Sequence, residues 1–161
     1  MITKIKAIRR QLANDTIFTI IRADQPGDLP PLPYATYKII GDRDGVGQED
    51  VSYVSKVESL VGTRIEERNS TISFNCYGTN HDGSFEVATV LRKWFVHGGS
   101  FYLDEINVAI ASVSDVQNRT TFLLDSYDEK WGFDVIMRYV DIDVHDIDYF
   151  DKVEIEMKSG G

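Results

Sequence analysis

Three residues near the C-terminal end carry side chains that commonly bind metal ions: Asp141, Asp143 and His145. They alternate in the sequence, so on a β-strand all three side chains point to the same side. Carboxylate and imidazole groups form a ligand set that divalent metals use. The positions that alternate with them are apolar, however, which is typical of a strand with one side in water. We therefore interpret the three as solvated surface residues and expect no metal site.

The candidates for catalysis are weaker still. The single cysteine, Cys76, shares one side of a predicted strand with Ile72 and Phe74, which favours a buried and unreactive thiol. The three histidines occupy unrelated settings, and there is no G-x-S-x-G, H-E-x-x-H or C-x-x-C motif. We expect no catalytic residue, no cofactor-binding residue and no cofactor, so the protein is predicted not to be an enzyme. A single cysteine also fits a reducing compartment.

The segment Gly41–Asp50 resembles two ligand-binding loops but matches neither. Gly45 and Gly47 form a G-x-G, but the third glycine and the lysine of nucleotide-binding loops are missing. The same segment opens like a calcium loop, yet Val46 and Tyr53 stand where that loop needs carboxylate or amide ligands. We predict a mobile loop without a bound nucleotide or calcium ion.

Length and composition predict one globular domain over residues 1–161. The chain is 42% hydrophobic and 27% charged, which is ordinary usage for a protein with a packed core. No apolar run approaches the length of a membrane span, and charges interrupt the N-terminal region where a secretory signal would be apolar. We expect no membrane contact and a cytoplasmic site of synthesis.

The net charge of −9 is unevenly distributed. Residues 1–10 contain basic but no acidic side chains, whereas the segment from Asp125 onward is strongly acidic. The two ends could meet within a subunit or between neighbours, or the charges could form a solvated surface that maintains solubility, which we favour. The net negative charge argues against a protein whose main function is to bind phosphate groups.

Two helices are expected. Residues 2–13 have apolar side chains at helical spacing, and Ser84–His97 has a broad apolar stripe. Asp82 or Ser84 is expected to cap the second helix, and Gly98-Gly99 to end it in the left-handed conformation. The predicted strands are Phe18–Arg22 (a short strand or an extended entry), Tyr34–Ile40 after a proline-rich lead, Val51–Val61 in a hairpin with Arg64–Tyr77, and Asn107–Val113 after a connector at Phe101–Ile106. The valines of Val51–Val61 would also fit one face of a helix, but the β-rich composition favours a strand. Val144–Asp151 and Val153–Met157 close the chain, the latter with the alternation of a strand.

The segment Arg119–Val144 is predicted to form a long hairpin. Thr120–Leu124 is its first arm, Asp125–Lys130 its turn and Trp131–Val144 its second arm. The apolar positions of the second arm change side at Val140, which a bulge, a twist or burial by a partner would explain. Together the elements predict an α+β fold: a mostly antiparallel sheet with two or so helices on one face, in a single domain with a flexible end at about 158–161.

Three segments, in order and spacing, resemble the neck-terminator or tail-completion proteins of tailed bacteriophages. They are LPYATYKII at Leu32–Ile40, GTRIEERNSTISFNCYG at Gly62–Gly78 and SYDEKWGFDVIMRY at Ser126–Tyr139. The most specific block is Lys130–Asp134, and the similarity extends over roughly Ala7–Ile142. The family resembled has no catalytic role to carry over.

The resemblance implies a structural virion protein that forms a ring, expected to be a hexamer, at the phage neck. Such a ring ends the tail tube, joins it to head-completion or portal-adaptor proteins and lets DNA pass through its lumen without sequence-specific binding. It would assemble in the cytoplasm of the host bacterium. The alternatives are another ring-forming connector or baseplate component, a generic adaptor domain, or a small cytoplasmic enzyme.

A ring needs a heterologous interface, in which one face of a subunit matches a different face of its neighbour. Adding a strand to a neighbour's sheet edge is one way to build it. From the change of side along the second arm, we predict that the interface includes Ile136, Arg138, Val140 and Ile142. A charge placed at Ile136 or Val140 is then expected to disturb the fold or the ring, whereas a change at Asp143 is not.

Overall fold

The computed structural model of the chain describes residues 1–43, 50–56 and 59–147. The helices of this part of the chain are α1 (Ile2–Thr16), α2 (His81–Lys93) and α3 (Ser100–Glu105), and a π-helical turn, Trp94–Gly98, connects α2 to α3. The strands are β1 (Thr19–Arg22), β2 (Tyr34–Arg43), β3 (Asp50–Lys56), β4 (Ser59–Tyr77), β5 (Val108–Val113), β6 (Gln117–Asn118), β7 (Thr121–Leu123), β8 (Ser126–Asp128) and β9 (Trp131–Ile147).

Seven of these strands form one sheet, in the order β1-β2-β4-β9-β5, with β3 beside β4 and β6 beside β9. The pairs β3–β4, β5–β9 and β6–β9 are antiparallel. In contrast, β1 runs parallel to β2, with Ile20 opposite Ala35. The α+β fold class predicted from the sequence is confirmed, and the parallel pair is an addition that periodicity alone did not reveal.

Contacts within the chain group into two compact units. The first unit comprises Met1–Asp42 and Asn69–Tyr139, and it contains all three helices. The second comprises Arg43–Arg68 and Val140–Gly161, within which the structure describes 43, 50–56, 59–68 and 140–147. The single domain over 1–161 stays a prediction.

The core of the first unit lies between the helices and one side of the sheet. The ring of Phe74 on β4 stacks on Phe133 of β9 at a centroid distance of 5.2 Å, and Phe95 of the π-helical turn lies 5.2 Å from Phe74. The helices are also linked directly, since the indole Nε1 of Trp94 donates to the carboxylate of Asp15 over 2.8 Å. The fully buried side chains of this core include Ile5, Ile8, Leu12, Ile72, Cys76, Leu91, Val135 and Met137.

The hairpin formed by β3 and β4 was predicted, but its turn was placed too late. Val54 pairs with Val61 and Lys56 pairs with Ser59, so Val61 belongs to the second strand and not to the first. The predicted strand bounds left Gly62 between the two strands, but it lies inside β4 opposite Tyr53. The predicted loop Gly41–Asp50 overlaps two strands, since β2 continues to Arg43 and β3 begins at Asp50. Positions 44–49 lie outside the described residues.

The predicted ends of the second helix are wrong at both termini. Its N-cap is Asn80, whose Oδ1 accepts from the backbone N–H of Gly83 over 2.7 Å. Ser84 lies inside the helix, where its Oγ accepts from the N–H of Gly78. At the other end Gly99 has φ −96°, which is not left-handed. The chain turns through the π-helical segment into α3, a helix where we predicted only a connector.

The long hairpin predicted at Arg119–Val144 is also wrong in its pairing. The start of β9 pairs with the short strand β6, with Asn118 opposite Trp131. The predicted first arm instead folds back on the predicted turn, because β7 pairs with β8 in a separate two-stranded sheet. The bulge in this region lies on β5, between Ile110 and Ser112. The predicted strand Val153–Met157 and the predicted flexible end lie outside the described residues.

The buried position predicted for Cys76 is confirmed. Burial raises the pKa of its thiol from 9.0 to about 12, against a smaller opposing effect of Arg119. The reactive thiolate is therefore a minor species of the folded protein at pH 8. We expect Ellman's reagent at pH 8 to leave the native protein unmodified and to react fully in urea. Rapid modification without denaturant would contradict the buried thiol.

Candidate assembly surface

Arg119 is the centre of the most connected polar cluster that the structure describes. One terminal nitrogen donates to the Ser73 hydroxyl (2.8 Å), to the Phe74 carbonyl (3.2 Å) and to the Asn75 side chain (3.2 Å). The other donates to Asp134 over 3.0 Å and to Gln117 over 3.3 Å. The guanidinium therefore ties β4, β6 and β9 together at one point, since its five donors have a fixed planar geometry.

The block Lys130–Asp134, singled out in the sequence, lies around this cluster. The ring of Trp131 packs edge-on against Phe85 (5.0 Å) and His81 (5.3 Å) of α2. A Cβ on Gly132 would collide with the carbonyl oxygen of Phe74, because the two backbones approach closely there. The residues of the block thus fix the start of β9 to the helix on one side and to Arg119 on the other.

Beyond the cluster the chain extends into a small hairpin, β7 and β8, which we call the arm (Thr121–Asp128). Its entry is closed by the N–H of Arg119, which donates to the carbonyl of Lys130 over 2.9 Å, and Lys130 pairs with Asp128. The rings of Phe122 and Tyr127 lie 5.0 Å apart across the two strands. Both rings are largely exposed.

The tip of the arm is a two-residue loop of Leu124 and Asp125, between the paired residues Leu123 and Ser126. Leu124 is 98% exposed and has φ +34°, in the left-handed region. Glycine is the residue that usually occupies such a position, because a Cβ is strained there. An exposed leucine at this position gives no packing energy to its own chain.

The predicted interface residues Ile136 and Arg138 belong to the first unit. The alternate positions of β9, including Val135 and Met137, are buried in the core, so Ile136 and Arg138 face away from it. Ile136 is half-buried, and the exposed Arg138 donates to the Asn69 side chain over 3.4 Å. Their role in an interface stays a prediction.

Val140 and Ile142 belong to the second unit, and they are 42% and 59% exposed. Between them, Asp141 forms an ion pair with Arg68 at 3.8 Å. The side chains of Asp143 and His145 are outside the described set, and the side chains that the structure does describe contain no group of three or more potential metal ligands. The exposed valine and isoleucine agree with the predicted change of side along β9.

A groove of about 480 Å³ lies on the side of the sheet opposite the helices. The stacked rings of Tyr34 and Tyr77, 4.9 Å apart, form part of its wall beside Asp128 and Lys130. Burial raises the pKa of both tyrosines. Among the described residues that line it there is no cysteine, histidine or glutamate.

The sequence did not reveal two features of this surface, the Arg119 cluster and the arm. A single arginine has no local pattern that identifies its partners, and the run Phe122–Leu124 has the composition of a core strand. The one available signal was the contrast between three consecutive apolar residues and the acidic segment directly after them.

Comparison with known proteins identifies the family. The family model of the phage neck terminator protein matches residues 5–161, which is nearly the whole chain, and the chain belongs to this family. No curated protein matches it. Within the described residues, none of the helices has the length and apolarity needed to cross a membrane.

Proposed function

We propose that this phage neck terminator protein assembles with copies of itself into a ring, expected to be a hexamer, at the neck of the virion. The ring ends the tail tube and joins it to the head-completion or portal-adaptor proteins, and DNA passes through its lumen. The observation that carries this proposal is the match of the neck terminator family over residues 5–161.

Exposed apolar side chains support an assembling protein. The first unit exposes the arm with Phe122 and Leu124, and the second unit exposes Val140 and Ile142. Contiguous apolar surface that its own chain leaves uncovered is typical of sites that bind other proteins. A ring uses two different surfaces of each subunit, and several exposed surfaces meet that need.

The net charge of −9 suits a conduit for DNA. Acidic side chains repel the phosphate backbone, so a lumen lined by them does not retain the passing duplex. A protein that held DNA in place would instead present lysine and arginine to the phosphates. The proposal therefore includes DNA as a passing molecule and not as a bound ligand.

Reconstitution with purified partners tests this function. The protein is mixed with tail tubes and, separately, with head-completion protein, and the samples are examined by pull-down and electron microscopy. We expect rings that cap one end of the tubes and bind the head-completion protein. Failure to bind either partner would refute the neck role, and binding to baseplate proteins alone would favour the baseplate alternative.

Val140→Lys tests the predicted contribution of β9. A lysine in the position of a 42% exposed valine should fold, because the side chain can reach water, but its charge should oppose burial in a subunit interface. We expect about a tenfold or larger loss of ring formation in light scattering at matched concentrations. Asp143→Asn is the control, and it should assemble like the natural protein. Equal assembly of both variants would exclude Val140 from the interface.

A further inference from the structure

The arm places an apolar tip in solvent at the cost of backbone strain. Leu124 is almost fully exposed with a positive φ, and Phe122 is 62% exposed next to it on β7. Strained residues at exposed positions persist where function selects the side chain. A contact outside its own chain would explain why a leucine occupies this exposed and strained position.

A hollow on the helix side of the first unit has matching chemistry. It has a volume of about 310 Å³ and lies where α2 passes into the π-helical turn. Val90 and Trp94 supply its apolar wall, and the basic side chains Lys93 and His97 border it. We call it the helix hollow. An apolar floor with a basic border suits an apolar residue that is followed by an acid.

The tip of the arm has this sequence, since Leu124 is followed directly by Asp125. The base of the arm and the helix hollow of one chain lie on opposite sides of the seven-stranded sheet. Asp128 at the base of the arm lines the groove beside Ser73 and Asn75, whereas the hollow belongs to the helices that pack on the side of Phe74. The two surfaces are therefore placed to bind different copies.

We propose that the arm of one copy docks into the helix hollow of the next, with Leu124 in the apolar hollow and Asp125 beside Lys93. The occupant is a second copy of this chain, and the proposal rests on the proposed ring. Such a contact joins two different surfaces and can be repeated from copy to copy until the ring closes. It also explains why a leucine occupies the strained tip.

The edges of the sheet favour contacts by side chains over strand addition. In the first unit the outer strands are β1, with four residues, and β5, which is interrupted by a bulge. Short and bulged edge strands are common devices that prevent pairing with another chain. A projecting arm gives the subunits a way to join that does not depend on a free edge.

Site-directed cross-linking tests the docking. The double variant Leu123→Cys with His97→Cys, which keeps Leu124, Asp125 and the apolar wall of the helix hollow, is treated with a short bismaleimide, both in the free protein at high concentration and on tail tubes. The natural Cys76 is buried and should not react. We expect a ladder of covalent oligomers beyond the dimer, because each copy then carries one reactive group on each side of the contact.

Two controls define the contact. Each single variant should give dimers at most, and Leu123→Cys combined with Phe101→Cys, another exposed position, should give no ladder. Leu124→Gly relieves the strain at the tip, so it should fold at least as well and lose at least tenfold in association. Full association of Leu124→Gly would overturn the proposal even if the cysteine variants failed to fold.

The outcomes separate this proposal from the ring itself. Rings on tail tubes without a ladder would overturn the docking and leave the proposed function intact. A ladder without rings would support the docking and refute the neck ring. The absence of both would refute both proposals.

Discussion

Replacing Arg119 by methionine is expected to lower the free energy of unfolding by about 3 kcal/mol. The change removes five hydrogen bonds, and it leaves the Asp134 carboxylate without the ion pair at 3.0 Å. Methionine keeps much of the apolar length of the side chain, so the loss reports mainly on the charge and its donors. Urea unfolding followed by tryptophan fluorescence measures the change.

Lys38→Met is the matched control. Lys38 forms a shorter ion pair, 2.6 Å from Asp24, but the two side chains are 57% and 69% exposed. Exposed pairs contribute at most about 1 kcal/mol, because water and salt screen them. We expect this variant to unfold within about 0.5 kcal/mol of the natural protein. Similar losses in the two variants would contradict a special role for the Arg119 cluster.

Gly132→Ala is expected to cost at least about 4 kcal/mol, which is enough to unfold many domains. The added methyl group would meet the backbone carbonyl of Phe74 and lie 2.7 Å from Oδ1 of Asn75 and 2.8 Å from a terminal nitrogen of Arg119. A backbone atom cannot rotate away as a side chain can, so β4 and β9 would have to separate. Soluble yield and thermal unfolding report the effect.

Gly41→Ala provides the comparison for a glycine in the same sheet. Among the residues that the structure describes, its added Cβ would meet the side chain of Thr71, at 3.8 Å, which is ordinary contact. Alanine also restricts the unfolded chain more than glycine does, so the change should be neutral or stabilising by up to about 1 kcal/mol. Equal stability of the two alanine variants would contradict the close approach of the β4 and β9 backbones at Gly132.

Elements with a strong period were predictable from the sequence. Ile5, Ile8 and Leu12 repeat at helical spacing and are buried in α1. Phe133, Val135, Met137 and Tyr139 alternate and are buried along β9. In these segments the buried side chains repeat at the spacing of the helix or strand itself, so a short stretch of sequence is enough to predict the element and its buried side.

Features that depend on distant partners were not predictable. Asn80 becomes the cap because its carboxamide reaches Gly83, while two other residues nearby had suitable side chains. The helix after Gly99 was missed because a glycine pair usually ends a helix, but here the Trp94 ring packs over Gly99. Local composition indicates neither the packing of the Trp94 side chain over Gly99 nor the choice of Asn80 as the cap.

The candidate assembly surface also combines a feature that the local sequence indicates with one that it does not. The change of the apolar side at Val140 was visible in the alternation along one strand, which is a local pattern, and the structure leaves Val140 and Ile142 exposed. The arm was not visible in the sequence, because Phe122–Leu124 is as apolar as a buried strand, and only the pairing of β7 with β8 leaves it in solvent. Sequence composition does not distinguish an apolar strand that is covered from one that projects.

The position of β9 between β4 and β5 has a consequence for synthesis of the protein. The ring of Phe133 stacks on Phe74, but Phe133 is synthesised about sixty residues later in the chain. The helices α1 and α2 and the strand β4 are therefore synthesised before β9, the strand that completes the core with them. Until then apolar surface is open to aggregation or to chaperones. The nascent chain can complete this core only after β9 has been made, and the subunit can join other copies only after that step.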